Sequence, residues 1–154
     1  MSNIDTLVGT AKKEIGYKEG ANNDNKFGVW YGLNHQPWCM IFVVWCFNQA
    51  GLASKIIKTA GCEAFEVWAK DKKYTVPVDK IQAGDLLLFD WDKAGKAEHI
   101  EIAAGGIDPK THLVPTVGGN TGPDHVGVNQ SNGDGVYGKV RATSVIRTVV
   151  RIPV

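Results

Sequence analysis

Three residues carry the chemistry that this sequence offers most directly: a cysteine at position 39, a histidine at 99 and an asparagine at 120. A cysteine becomes a nucleophile only as its thiolate, and an ordinary thiol near pKa about 8.5 is mostly protonated at neutral pH. Cys39 stands one or two residues into PWCMIFVVWCFNQAG, a run that reads as a helix. There the unsatisfied backbone N–H groups and the positive end of the helix dipole favour the thiolate. Cys46 lies two turns deeper, where no helix end lowers its pKa, and reads as a small apolar core residue.

A nucleophile of this kind needs a general base within hydrogen-bond reach. Of the four histidines, His99 opens an alternating strand with His99, Glu101 and Ala103 on one face and Ile100 and Ile102 on the other. A strand end holds an imidazole better than a mobile loop does. His112 falls near the next strand, while His35 and His125 read as loop residues. A base also needs an orienting partner, and Asn120, in TVGGNTG, is the expected amide for that role. By composition alone, however, the turn reading of Gly-Gly-Asn wins, because that string is common in loops.

The elements that must position these groups follow from periodicity. Ile4, Leu7, Val8, Ala11 and Ile15 share a face, which predicts an amphipathic helix over 3–15, ended by Gly16. The stretch from Gly20 to Gln36 reads as a long irregular surface segment. Pro37 and Gly51 bracket the buried helix, and a third helix is expected over 62–72, with Phe65, Trp68 and Ala69 on one face. After Pro77, IQAGDLLLFDW, HIEIAAGG, THLVPTVGG and SVIRTVVRIPV read as strands. Helices first and strands second predict an α+β domain, with N-terminal helices packed on a mostly antiparallel sheet.

Composition sets the outer limits. With 154 residues, a single domain over 1–154 is expected. Seventeen Lys+Arg against 16 Asp+Glu leave a net charge of +1, without a run of five like charges, so no nucleic-acid partner is expected. No apolar run approaches the roughly eighteen residues of a membrane span, and Met1 to Thr10 lacks the features of a signal peptide. Neither membrane insertion nor an export signal is therefore expected. Three cysteines, Cys39, Cys46 and Cys62, make no disulfide framework and no zinc spacing, although a Cys46 to Cys62 pairing stays open.

The strings PWCMIFVVWCFNQAG, AGDLLLFDWD, AEHIEIAAGG and TVGGNTG, in this order from about Trp30 to Asn120, resemble the CHAP family of cysteine, histidine-dependent amidohydrolases and peptidases. The pieces that carry the resemblance are Trp38-Cys39, Gly84-Asp85-Leu86 and His99-Ile100. It implies a papain-like fold, a Cys39 nucleophile, a His99 base, and cleavage of an amide bond in bacterial peptidoglycan through a thioester. The bond would be that of an N-acetylmuramoyl-L-alanine amidase or of an endopeptidase. The Cys39 N–H is the expected oxyanion donor, with Gln36 as a second, and Trp30, Tyr31, Trp38 and Trp91 are candidates to line the substrate groove. Two positions depart from the family. The family often carries a Glu two residues before the Asn of its third motif, and here Gly118 stands there. Some members hold calcium in an acidic loop before the nucleophile, whereas NNDNKFG offers only Asp24, so no metal and no cofactor are expected.

The resemblance and the missing signal together suggest a phage endolysin, monomeric, accumulating in the host cytoplasm and reaching the wall through a separate pore. Two other readings stay open: a non-catalytic wall-binding or phage structural module of the same fold, and a cysteine peptidase acting on other amides.

Overall fold

The computed structural model describes residues 1–124 and 129–154, so His125 lies outside the described residues. Four α-helices precede a six-stranded sheet. The helices are α1 (Asn3–Lys13), α2 (Lys26–Tyr31), α3 (Cys39–Gln49) and α4 (Cys62–Asp71). The strands are β1 (Thr75–Val76), β2 (Leu86–Phe89), β3 (His99–Ala103), β4 (Leu113–Thr121), β5 (Gly135–Ala142) and β6 (Ile146–Val150). Sheet order is β1-β6-β2-β3-β4-β5, every pair antiparallel, as the segregation of helical and strand periods predicts.

Helix α1 begins in a capping box, with the Ser2 hydroxyl accepting from the Asp5 N–H and the Asp5 carboxylate accepting from the Ser2 N–H. It stops at Lys13, short of the expected end, and Ile15 is exposed beyond it. The segment expected to be irregular over Gly20–Gln36 contains α2, capped by the Asn25 side chain on the Gly28 N–H (2.7 Å) and closed by Gly32 at φ +92. Its two turns are too short to carry a periodic signal, and they exist to seat Phe27, which is wholly buried against Trp38 and Phe42.

Helix α3 is buried on nearly every side, because eight of its eleven residues, Cys39 to Val44 with Cys46 and Phe47, are apolar and enclosed. It packs on β3 and β4. The close approach is made at Gly119, where a Cβ would lie 2.7 Å from Phe42 Cβ and 2.8 Å from Trp38 Cζ3. The sheet is buried on both faces. Leu86, Leu88, Ile100, Ile102 and Val117 face the helices, while Leu87, Phe89, Ala103, Val114, Ile146 and Val149 form a second cluster. Asp85 of the Gly-Asp-Leu string is a structural anchor: its carboxylate accepts from Arg151 Nε (2.9 Å) and Nη2 (2.8 Å), tying the chain after β6 to the start of β2.

Two strands escape the sequence reading, the two-residue β1 and the eight-residue β5. The latter matters, because it carries Lys139 and Arg141 inward, both buried. Among the described residues, no helix is long and apolar enough to cross a membrane.

Since nothing between α3 and β4 can move aside cheaply, Gly119→Ala should destabilise the protein by about 1–3 kcal/mol. Urea unfolding would show this as a lower midpoint at unchanged slope.

Candidate active site

Cys39 is the first residue of α3 and is 6% exposed. Its helix has no side-chain cap. The first helical bond is from the Phe42 N–H to the Trp38 carbonyl (2.9 Å), so the thiol sits at the end of α3 where N–H donors are unspent. His99 is the first residue of β3 and wholly buried. His99 Nε2 is engaged by a carboxylate, whereas Nδ1 is buried without a hydrogen-bond partner, which leaves Nδ1 as the nitrogen available to the Cys39 sulfur.

That carboxylate is Glu101, and it corrects the expectation for Asn120. His99 Nε2 lies 2.9 Å from Glu101 Oε2. The same oxygen accepts from Arg141 Nη2 (2.6 Å), and Oε1 accepts from Arg141 Nε (2.8 Å) and the Thr116 hydroxyl (2.7 Å). Glu101 is therefore fully buried yet saturated with hydrogen bonds, the condition under which a charge survives without water. Gly118 now has a physical reason. A Cβ at that position would lie 2.6 Å from Glu101 Cγ and 2.7 Å from Cδ, so the space that a side chain at 118 would fill holds the Glu101 carboxylate.

Asn120 is buried on β4 at φ +53, inside the irregularity that shifts the β4–β5 register between Gly118 and Thr121. Its Nδ2 donates to the Ser131 carbonyl (3.1 Å), and its own carbonyl accepts from the Gly133 N–H (2.8 Å). Among the described residues no hydrogen bond joins it to His99. A β4 bulge aims the amide at the 129–133 segment instead.

Protonation follows from these contacts. The Cys62 thiol beside it, opposed by burial and assisted by the His99 imidazole, holds Cys39 well below the usual thiol range. Burial alone would depress His99, but the neighbouring Cys39 thiol and the Glu101 carboxylate raise it to about 9. Burial likewise works against the Glu101 charge, yet Arg141 and His99 bring it down to about 2. The shifts run in the direction that favours alternating charges along the row: thiolate, imidazolium, carboxylate, guanidinium. Cys46, enclosed in the core, is pushed the other way, by burial and by the charge of Glu14.

The expected groove aromatics separate. Trp91 belongs to the site: its ring centroid is 5.9 Å from that of His99, it stacks on Phe89 at 4.8 Å, and the Arg141 guanidinium lies 4.9 Å from it. Its indole N–H bonds the Ser131 hydroxyl. Trp38 is corrected to a core residue, wholly buried, stacked on Phe27 and donating Nε1–H to Glu19 Oε1 (2.9 Å). Trp30 and Tyr31 pack under Lys58, and Trp30 lines a small cavity with Val44, Asn48, Ala53 and Ile56 that includes none of the site residues. Gln36 is exposed, three residues before Cys39. His35 bonds the Asn22 carbonyl, and His112 is exposed just before β4. A polar cleft of about 540 Å³ is lined by Glu19, Asn22, Asn23, Asn132 and Asp134 and includes none of Cys39, His99 and Glu101.

No metal was expected; among the described residues, Asp90, Asp92 and Glu98 bring three carboxylate oxygens within 4.8 Å of one another. The hydrogen bond with Asp92, with burial, raises Glu98 to about 7. The cysteines are all free, and Cys62 lies beside Cys39, which corrects the open pairing with Cys46.

A helix-head thiol set against a carboxylate-held imidazole on an antiparallel sheet defines a papain-like α+β protein. The chain belongs to the CHAP domain family, whose model matches residues 30–141. Three solved structures share the fold. The wild-type endolysin LysIME-EF1 aligns with 14% identity and TM-score 0.56, over 99% of this chain and 65% of that one. Ly7917 aligns with 9% identity and TM-score 0.58, over 99% and 63%. A protein described as similar to a lipoprotein of the NLP/P60 family, from Staphylococcus aureus subsp. aureus Mu50, aligns with 15% identity and TM-score 0.50, over 97% and 41%. The chain thus spans less than two thirds of the length of these proteins. No curated protein sequence matches it significantly.

The ionisation state can be read directly. Thiolate absorbance in the ultraviolet should persist in the wild type well below the pH at which an ordinary cysteine is protonated. His99→Ala should move that titration upward toward the ordinary range, while Cys46→Ala should leave it in place.

Proposed function

We propose that this protein is a peptidoglycan hydrolase of the endolysin kind, in which Cys39 is the nucleophile, His99 the proton carrier and Glu101 the group that orients and charges His99. The observation that carries the reading is the buried Cys39–His99–Glu101–Arg141 row at the head of α3. The family and the endolysin neighbours suggest the substrate. Amides of the peptide stem suit a cleft lined with Asn22, Asn23 and Asn132, and Glu19 and Asp134 add negative charge for an amine-bearing residue.

The reaction would open with the Cys39 thiolate adding to the scissile carbonyl, the new oxyanion accepting from the N–H groups at the start of α3. Collapse would pass a proton from His99 to the leaving amine and leave a thioester on Cys39. Water, deprotonated by the now neutral imidazole, would hydrolyse that ester and restore the ion pair. Throughout, the Glu101 carboxylate would fix the ring plane and offset the positive charge on it. Asn120 would act on the shape of the site through the 129–133 segment.

The amidase and endopeptidase readings both use this geometry, and mass spectrometry of the muropeptides released from walls would tell which bond is cut. We infer that the protein is made in the host cytoplasm as a monomer and acts after release to the wall.

Purified protein should clear a suspension of susceptible walls, and Cys39→Ala, folded, should not. If the variant clears walls at the original rate, Cys39 is not the nucleophile. Clearance without cleavage of casein would exclude a general cysteine peptidase. No clearance and no muropeptide release by the wild type would favour a binding module.

The pH dependence follows from the shifts. A raised His99 pKa keeps the imidazolium present below about 9 and loses it above. Lysis should therefore hold through neutral pH and fall as pH rises through about 9. Glu101→Gln removes the charge that favours imidazolium, so it should draw this alkaline limb toward neutrality and lower kcat more than it raises KM. Asn120→Ala should leave the limb where it is.

A further inference from the structure

Cys62 is the first residue of α4, and its sulfur lies 3.7 Å from that of Cys39. Neither the sequence reading nor the reaction above uses it. Its burial is nearly that of Cys39, at 9% against 6% exposed. We propose that Cys62 is a resolving thiol: a hydroperoxide that reaches the site oxidises Cys39, and Cys62 then closes a reversible Cys39–Cys62 disulfide. The proposal rests on Cys39 being the reactive thiol of the reading above.

Two features favour the closure. Sulfur atoms in a disulfide are about 2.05 Å apart, so the pair must approach by about 1.7 Å. The residue before Cys62 is Gly61, an N-cap with no side-chain bond, at which even an added Cβ would meet only Ala64 at 3.9 Å. The space beside Gly61 therefore leaves room for the small shift that closure needs. Cys39 is also the thiol that would react first, because its neighbours favour the thiolate, whereas hydrogen bonding to Cys39 and burial keep Cys62 protonated.

The chemistry balances with the hydroperoxide as oxidant. The Cys39 thiolate attacks one peroxide oxygen, the O–O bond breaks, and the departing alkoxide takes the His99 proton and leaves as an alcohol. Cys39 is then a sulfenic acid. Cys62 sulfur attacks Cys39 sulfur, the S–O bond breaks, and hydroxide leaves with the Cys62 proton as water. Two thiols have lost two hydrogens, and the peroxide has been reduced.

Native protein treated with a slight excess of tert-butyl hydroperoxide should become lighter by two hydrogens, and a non-reducing digest should contain one peptide pair joined through residues 39 and 62. Alkylation after unfolding should then label Cys46 alone. Dithiothreitol should restore the original mass and all three reactive thiols. Cys62→Ala and Cys62→Ser should instead accumulate oxygen on Cys39 that dithiothreitol does not fully remove, with wall clearance lost in parallel. Oxygen addition to wild-type Cys39 while Cys62 remains alkylatable would overturn the proposal and leave Cys62 as a hydrogen-bond donor only. Because the link is read by mass, a protein that forms the link on oxidation yet clears no walls in its reduced form would sink the functional reading and keep this one. A wall-clearing protein that oxidises without a link would do the reverse.

Discussion

The Glu101 carboxylate is the constraint on which this structure turns. It is buried completely, among strands whose other inward residues are mostly apolar, and a charge there is tolerated only if nearly every lone pair finds a donor. The donors come from three places: Thr116 on β4, Arg141 on β5 and His99 on its own strand. β3, β4 and β5 must therefore keep their register, because a one-residue slip would point these groups to the opposite face. Removing one member would strand the others, since breaking a buried pair from one side costs about 3–5 kcal/mol. The polar row that could do chemistry is, for the same reason, a device that fixes the sheet.

The thiol end depends on a different kind of force. α3 carries no charge, and eight of its eleven residues bury themselves between the sheet and α1, α2 and Trp38 by apolar contact. Such a helix is placed by shape, and Gly119 lets it approach β4 closely enough for its first residue to meet the first residue of β3. Packing thus delivers Cys39, and electrostatics hold His99 in wait for it. With Cys39 as thiolate and His99 as imidazolium the four groups would sum to zero charge, the condition for burying a thiolate and a carboxylate together.

The fold was legible wherever a single period dominates. The apolar run at 39–49, the alternation at 99–103 and the Gly-Asp turn before β2 each point to one element, and the structure has each of them. What stayed hidden is local structure whose reason is elsewhere. α2 is two turns long and is justified by one buried phenylalanine. β5 reads as polar because Lys139 and Arg141 alternate inward, and they are acceptable there only because Gly122 O, Asp124 and Glu101 receive them. Glu101 itself had a visible signal, a carboxylate two residues from the histidine in an otherwise apolar strand. Taken with Gly118, it shows a pair of strands that have exchanged which one supplies the carboxylate.

Asn120 shows why a motif position does not fix a duty. A hydrogen-bond partner for His99 must approach Nε2, and that position is taken by an oxygen already held by Arg141. An amide competing for it would have to displace a charge-assisted bond with a neutral one, which is about half as strong. The left-handed backbone of Asn120 turns the residue toward Ser131 and Gly133 instead, where side chain and main chain together secure the 129–133 segment. That segment carries the Ser131 hydroxyl that Trp91 bonds and the Asn132 wall of the polar cleft. An asparagine at this point therefore reaches His99 only indirectly, through the indole that lies beside the imidazole.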